Sequence, residues 1–109
     1  MQQASFVHEG ASIDYTPGAN VAAGEVVVQG DLVGVAKLDI LSGRLGALAV
    51  DGVFDFAKEF GVTHPAGQIV YWDNSNDMVT ATATGNKLVG KVVRAASASD
   101  LTVRVRLSQ

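Results

Sequence analysis

Apolar and polar residues alternate over short stretches of the chain, most clearly near its end. Val103, Val105 and Leu107 fall on one side of this stretch, with threonine and arginine between them. A period of two is typical of a strand with one buried and one solvated face. Similar short stretches recur between Gly, Asp and Asn residues, and no long stretch has the helical period. The pattern predicts an all-β domain, either a small barrel or a sandwich of short antiparallel strands.

The segment 67–95 has the densest strand signals and contains the only tryptophan. The predicted elements are a strand at 69–72, a polar tip at 73–77, a return strand at 78–84 with alternating threonines, and a third strand at 88–95. We expect these consecutive strands to form a sheet. Neighbours in a strand face opposite ways, so one ring of the pair Tyr71 and Trp72 is expected in the core. The other is expected to be exposed or at an interface.

Two further hairpins are predicted before this segment. Their strands are at 26–28 and 32–36 around Gly30, and at 47–50 and 53–57 around the pair Asp51 and Gly52. An Asp-Gly pair between apolar runs is the strongest short hairpin signal. A helix at 54–60 is the second interpretation of the last run, disfavoured by the glycines on either side. Residues 38–46 are expected to be a loop or a short helical turn.

The first 20 residues are polar and punctuated by Gly and Pro. Two short runs, at 6–8 and 12–16, each predict an edge strand, and the first residues are expected to be mobile until a partner binds them. With 109 residues, the chain has the length of one domain. We divide it into a mobile N-terminal arm with edge strands at 1–20 and a β-barrel body at 21–109.

Two parts of the chain resemble each other. The stretches GEVVV at 24–28 and LVGVA at 32–36 are similar to GQIVY at 67–71 and LVGKV at 88–92. The second copy carries an insertion between its two parts. An internal duplication is one interpretation, and chance similarity between strands rich in Val and Gly is the other.

The composition indicates a protein that associates with others. Hydrophobic residues make up 48% of the chain and charged residues only 17%, although a domain of this size exposes much of its surface. Association would cover the excess apolar surface. The alternative is a monomer whose surface is rich in Val and Ala.

Charge is distributed unevenly along the chain. Residues 1–77 include ten acidic and three basic residues, a net of −7, whereas residues 78–109 include one acidic and five basic residues, a net of +4. Pairing of acidic with basic strands inside one barrel would cancel this asymmetry. The alternative is docking to a subunit or scaffold through opposite patches. Five basic residues without clustered aromatic residues do not indicate a nucleic-acid-binding surface, so no nucleic-acid partner is expected.

The chain has no cysteine, which excludes disulfides and thiolate sites. It also has no apolar stretch long enough to cross a bilayer, and its first residues lack the features of a signal peptide. We therefore expect synthesis in the cytoplasm and no membrane partner.

One polar loop resembles part of a calcium site. Asp73, Ser75 and Asp77 match the first ligand positions of an EF-hand loop, but Met78 replaces the required glycine and Thr84 the bidentate glutamate. A plain hairpin tip, held by side-chain bonds to the backbone, is the favoured interpretation.

No other pattern of catalytic residues is complete. His8 and His64 are isolated in the sequence and are expected to be solvated loop residues. The chain lacks a nucleophile elbow and a phosphate-binding loop. We therefore expect no enzyme activity, no cofactor, no metal and no small-molecule substrate.

A series of stretches, in order along nearly the whole chain, resembles one protein family. The stretches are 24–28, 32–36, 52–54, 67–73, 85–90 and 102–107. They resemble the small capsid cement, or head decoration, proteins of tailed phages and prophages, a family once catalogued as a domain of unknown function and loosely labelled a recombinase. That label implies ATP binding, against which the missing phosphate-binding loop argues.

The resemblance implies an all-β subunit that trimerises on the outside of a viral shell, clamps neighbouring major capsid protein subunits and stabilises the capsid. It implies location on the virion and synthesis in the bacterial host. The arm at 2–15 is expected to order on the shell by adding a strand to a capsid loop. The candidate interface residues are Phe6, Val7, Ile13, Tyr15, Tyr71, Trp72, Arg104 and Arg106.

Two other functions stay open on the sequence. A module that binds carbohydrate or a host surface would use an exposed aromatic ring with Asn74, Asn76 and Asp77. A DNA recombination accessory protein would use the arginines at 94, 104 and 106, with an affinity that falls steeply with salt.

Overall fold

The computed structural model of the protein describes residues 2–109, which form nine short strands and no helix. In chain order the strands are β1 (Ser12–Tyr15), β2 (Val26–Gln29), β3 (Leu32–Ala36), β4 (Gly46–Ala49), β5 (Gly52–Ala57), β6 (Ile69–Asp73), β7 (Met78–Thr80), β8 (Lys87–Arg94) and β9 (Thr102–Leu107). The predicted all-β class is confirmed.

The strands form two antiparallel sheets. The four-stranded sheet has the order β1-β4-β3-β2 and the five-stranded sheet the order β5-β9-β8-β6-β7. A single bridge between Lys58 and Val79 links the two edges of the five-stranded sheet without closing it into a barrel. Of the two predicted forms, the sandwich is therefore the one observed.

The main core lies between the two sheets. Val103, Val105 and Leu107 of β9 are at most 2% exposed, and they share this core with residues of β3, β6 and β8. Trp72 joins the core as well, with its ring centroid 6.1 Å from that of Phe56. The alternation read from the last strand is confirmed, because every second side chain points into this core.

A second, smaller core lies on the other face of the four-stranded sheet. Leu48, Ile40 and Val21 are buried there, and Ile13 and Tyr15 of β1 pack against them. Alternate residues of the same sheet thus serve two cores, which is why this sheet has near-continuous apolar runs.

The two sheets are built on the same plan. The order β1-β4-β3-β2 corresponds strand for strand to β5-β9-β8-β6, with β7 added at the edge. Backbone bonds correspond as well: Gly24 donates to Ala36 at 2.6 Å as Gly67 donates to Val92 at 2.7 Å. This agreement supports the internal duplication and places β7 in the insertion of the second copy.

The hairpin predicted at Asp51 and Gly52 is wrong. Both flanking strands exist, but β4 pairs with β1 and β3 while β5 pairs with β9. The chain crosses from one sheet to the other here, with Gly52 at a φ of 112°. Because β4 already has a partner on each side, β5 cannot pair with it. The helix considered at 54–60 does not form.

Two other expectations are corrected in part. Residues 6–8 form no strand, whereas the edge strand predicted at 12–16 is β1. The return strand β7 ends at Thr80, whose hydroxyl accepts a bond from the Thr82 backbone at 3.2 Å, so no threonine face extends to residue 84. The third strand, predicted at 88–95, is β8, and it lies in the same sheet as β6 and β7, as expected, with β6 as its partner on that side.

His64 is buried and not solvated as expected. It is 1% exposed, its Nδ1 lies 2.6 Å from the Gln68 side-chain oxygen, and its Nε2 has no partner among the described residues. Its backbone forms a bridge with Ala96, as Val21 does with Ile40 in the first copy. His64 therefore occupies the position that an apolar residue fills in the other half.

Replacing Gly90 with alanine is expected to destabilise the fold by about 3 kcal/mol or more. The added Cβ would collide with the carbonyl oxygen of Arg106, a backbone atom that cannot move aside. Urea unfolding of Gly90→Ala measures the loss. The control is Gly18→Ala, where nothing lies within 4 Å of the new Cβ, and equal stability of the two variants would contradict the close packing of β8 on β9.

Candidate functional site

The outer face of the five-stranded sheet is the surface with the most distinctive charge. Because Val103, Val105 and Leu107 point into the core, the alternating residues Arg104 and Arg106 point outward. We call this surface the basic face. It consists of Val53, Asp55, Ile69, Tyr71, Leu88, Lys91, Val93, Arg94, Arg104 and Arg106.

The basic face differs in charge from the rest of the protein. It holds four basic residues and one acidic residue, a net of +3, in a chain with a net charge of −3. The remainder of the protein therefore has a net charge of −6. Both ion pairs among the described residues, Asp31 with Lys87 and Asp55 with Arg104, join the acidic to the basic part of the chain, but they leave the other three bases of this face unpaired. An acidic partner would be attracted to this face and steered toward it.

Like charges lie directly opposite each other across β8 and β9. Lys91 is the register partner of Arg106, and Arg94 is the register partner of Arg104. Such pairs destabilise a sheet, because the charges repel at the short distance between neighbouring strands. Of these four bases, only Arg104 has a carboxylate partner among the described residues. The arrangement is unfavourable for the free domain and favourable for binding an anion.

Asp55 reduces this repulsion by pairing with the positive charge of Arg104. The Arg104 guanidinium donates two bonds to the Asp55 carboxylate, at 3.0 and 3.2 Å. These bonds hold the pKa of Asp55 below its ordinary value and raise the pKa of Arg104. Slight burial opposes the shift of Asp55, and the charges of Arg104 and Arg94 add to it. The pair orients Arg104 and leaves the other three bases free for a partner.

Apolar side chains flank the basic residues. Val53 and Ile69 are 55% and 46% exposed at opposite ends of a row that crosses the sheet through Arg106 and Lys91. A shallow groove of about 190 Å³ runs beside Ile69 and Leu88. A partner seated here would bury apolar surface and pair with cations at once, as the cores and rims of protein interfaces do.

The structure brings three of the predicted interface residues together on this face, namely Tyr71, Arg104 and Arg106. It does not bring the other five there. Phe6 and Val7 lie in the arm, outside any strand, and Ile13 and Tyr15 are half-buried on β1 against the second core. Trp72 is 4% exposed and belongs to the main core, so its ring forms no part of the surface of the subunit.

Lys91 and Arg94 are absent from the predicted interface residues, although Arg94 is named for the nucleic-acid alternative. The alternation of the last strand shows that Arg104 and Arg106 share a face, but it does not show which residues lie opposite them. That information is in the register of β8 against β9, which shifts at a bulge between Val92 and Arg94. The only local sign of this arrangement in the sequence is that two basic residues lie three positions apart in an otherwise apolar strand.

The tip between β6 and β7 forms the plain hairpin that was predicted. The Asp73 carboxylate accepts bonds from the backbone of Ser75 and Asn76 and from the Asn76 side chain. These bonds lower the pKa of Asp73, the side-chain bond most of all. Trp72 Nε1 donates to Asn74 at 3.2 Å. Since the Trp72 ring is buried, it cannot be the exposed aromatic residue that carbohydrate binding would need.

Over residues 2–109, no group of three His, Asp or Glu side chains could hold a metal ion. The same residues include no helix long and apolar enough to cross a membrane.

The chain belongs to the phage cement protein family, whose model matches residues 7–107. It is therefore a structural protein of phage capsids, located on the virion, where it binds the capsid. No curated protein and no solved structure matches the chain.

The Asp55 carboxyl is expected to titrate below its ordinary pKa of 3.8. Its pKa is lowered in the folded state, so the pair with Arg104 stabilises the fold above the pKa of the unfolded chain. That stabilisation is lost as the pH falls through the folded pKa. Carboxyl NMR during an acid titration measures this, and Arg104→Ala should return the midpoint toward 3.8. An unchanged midpoint in that variant would show that the pair does not form in solution.

Proposed function

We propose that the protein stabilises a phage capsid as a homotrimer that docks its basic face on the outer surface of the shell. The observation that carries this proposal is the register of β8 against β9, which places like charges opposite each other, Lys91 with Arg106 and Arg94 with Arg104. An acidic capsid surface would supply the counter-charges that the free subunit lacks. Binding would thereby relieve a repulsion that the fold tolerates on its own.

Stabilisation of the shell would follow from mass action. A ligand that binds the closed lattice and not its dissociated parts shifts the equilibrium toward the lattice. A capsid offers many equivalent sites, so a modest free energy at each one adds up over the shell. This role needs a rigid body and a docking surface, and it needs no acid, base or cofactor. Synthesis in the host cytoplasm, followed by assembly on the capsid, is part of the same proposal.

The N-terminal arm is proposed as a second contact with the major capsid protein. Phe6 and Val7 are 79% and 82% exposed, and residues 2–11 form no strand of either sheet. A short extended segment with two adjacent apolar residues can add to an exposed strand edge of a partner. The arm that is free to do so ends where β1 begins, at Ser12.

Lys91→Glu should affect folding and capsid binding in opposite directions. A glutamate would face Arg106 and stabilise the free subunit by about 0.2–1 kcal/mol. The face would retain a net charge of +1, and its affinity for capsids should fall about tenfold or more at low salt. Urea unfolding and sedimentation with purified capsids measure the two effects.

The matched control for this variant is Lys37→Glu, which makes the same change of charge on an exposed lysine just after β3. It should leave capsid affinity unchanged at equal salt. Equal loss of affinity in both variants would show that net charge alone drives binding. No loss in Lys91→Glu would contradict docking through the basic face.

Deleting residues 1–9 should weaken binding to expanded capsids and leave the fold intact, because every strand begins after the deletion. Circular dichroism checks the fold, and sedimentation with capsids measures affinity. The matched variant keeps the full chain and replaces Phe6 and Val7 with serine. If both proteins bind as tightly as the wild type, the arm takes no part in docking.

A further inference from the structure

Exposed large apolar side chains fall into four groups on the described surface. Two lie in the arm and four on the basic face, and the other six lie in two loop regions. Patch A consists of Leu38, Leu41 and Leu45, between β3 and β4. Patch B consists of Phe60, Val62 and Leu101, in the segments that lead out of β5 and into β9. Neither the proposed capsid contact nor the arm accounts for these six residues.

The two patches occupy corresponding positions in the two halves of the molecule. Leu45 directly precedes β4 and Leu101 directly precedes the corresponding strand β9, and they are 71% and 67% exposed. The same backbone turn stands before each leucine. The backbone N–H of Arg44 donates to the Leu41 carbonyl at 3.0 Å, and the backbone N–H of Asp100 donates to the Ser97 carbonyl at 3.2 Å. Each half therefore presents one exposed leucine beside one charged residue in the same local geometry.

The charges beside the two leucines are opposite. Arg44 stands next to Leu45, whereas Asp100 stands at the corresponding position next to Leu101, with Glu59 nearby in patch B. The third charge in patch B, Lys58, is 4% exposed, and its ammonium donates to the carbonyls of Glu59 and Asp100. The charges that patch B exposes to a partner are thus acidic.

Patch A also has an acidic neighbour, Asp39, and one oxygen of its carboxylate accepts a bond from the Ala23 backbone at 2.8 Å. Asp100 makes a similar bond through one oxygen, to the Ser97 backbone at 2.8 Å, so each carboxylate keeps one oxygen available. The two differ in position, because Asp100 directly precedes Leu101 whereas Asp39 lies six residues before Leu45. Arg44 forms no ion pair among the described residues. The free cation of patch A and the free carboxylate oxygen of patch B are complementary.

We propose that patch A of one subunit binds patch B of the next, with Leu41 and Leu45 packed against Phe60 and Leu101 and with Arg44 opposite Asp100. The occupant of each patch is a second copy of this chain. A contact between two different patches is heterologous, and repeated copies close into a ring when the rotation between neighbours is one third of a turn, as a trimer requires. This contact would be the interface between subunits of the proposed trimer. The inference rests on the proposed function only for the number of subunits, because the contact itself does not require a capsid.

A charge swap tests the pairing directly. Arg44→Asp and Asp100→Arg should each weaken self-association on the order of ten- to a hundredfold, because each variant places like charges across the contact. The double variant carries both substitutions in every chain, so the pair is re-formed with reversed polarity and association should recover. Light scattering over a concentration series measures the mass. Failure of the double variant to recover would overturn the pairing of these two residues.

A mixing experiment tests the head-to-tail arrangement. Leu45→Asp disables patch A and Leu101→Asp disables patch B, and both side chains are exposed, so both variants should fold. Each variant alone should be monomeric, while an equal mixture should form a dimer through the one intact contact and grow no further. If either variant alone still dimerises, like patches bind each other and the proposal is wrong.

Failure of this inference can be distinguished from failure of the proposed capsid role. Lys91→Glu should lose capsid affinity and keep the wild-type mass, whereas Leu45→Asp should change the mass or, for a wild type that is monomeric in solution, the cooperativity of capsid binding. A monomeric wild type whose patch variants bind capsids with wild-type affinity and cooperativity would overturn the inference and leave capsid docking intact.

Discussion

Burial of one side of β9 is the constraint on which the other features depend. This strand pairs with β5 and β8, and its three apolar side chains lie at the centre of the main core. Because side chains alternate along a strand, burying Val103, Val105 and Leu107 forces Arg104 and Arg106 to the outside. The basic face is therefore a direct consequence of the way the core is packed. A slip of one residue in the register would place two arginines in the core and is excluded for that reason.

The charges on this face lower the stability of the free domain, a cost that the proposed docking on an acidic partner would offset. Two pairs of like charges stand opposite each other across β8 and β9, and one aspartate compensates for only part of the repulsion. A sheet selected for stability alone would alternate charges of opposite sign. Departure from that pattern, in a chain whose remaining charge is acidic, agrees with a structural protein that binds the capsid.

The two halves of the molecule show how one arrangement of strands can carry different surfaces. Both halves keep the strand order and the turn before the last strand. They differ in the extra strand β7, in the residue at the positions of Val21 and His64, and in the charge at Arg44 and Asp100. The stretches 24–28 and 32–36 are similar to 67–71 and 88–92, whereas the charges beside Leu45 and Leu101 are opposite. Divergence at exposed positions is what a subunit with two different neighbours would require.

The sequence by itself determined the all-β class, most strand positions, the alternation of the last strand and the similarity of the two halves. These features depend on local spacing, which a single chain displays directly. Only the tertiary structure decided that the chain crosses between sheets at Gly52, that His64 and Trp72 are buried, and that Lys91 lies opposite Arg106. Each of these depends on which strands pair and in what register. Pairing is settled by contacts between residues far apart in the chain, so it leaves no local pattern to read.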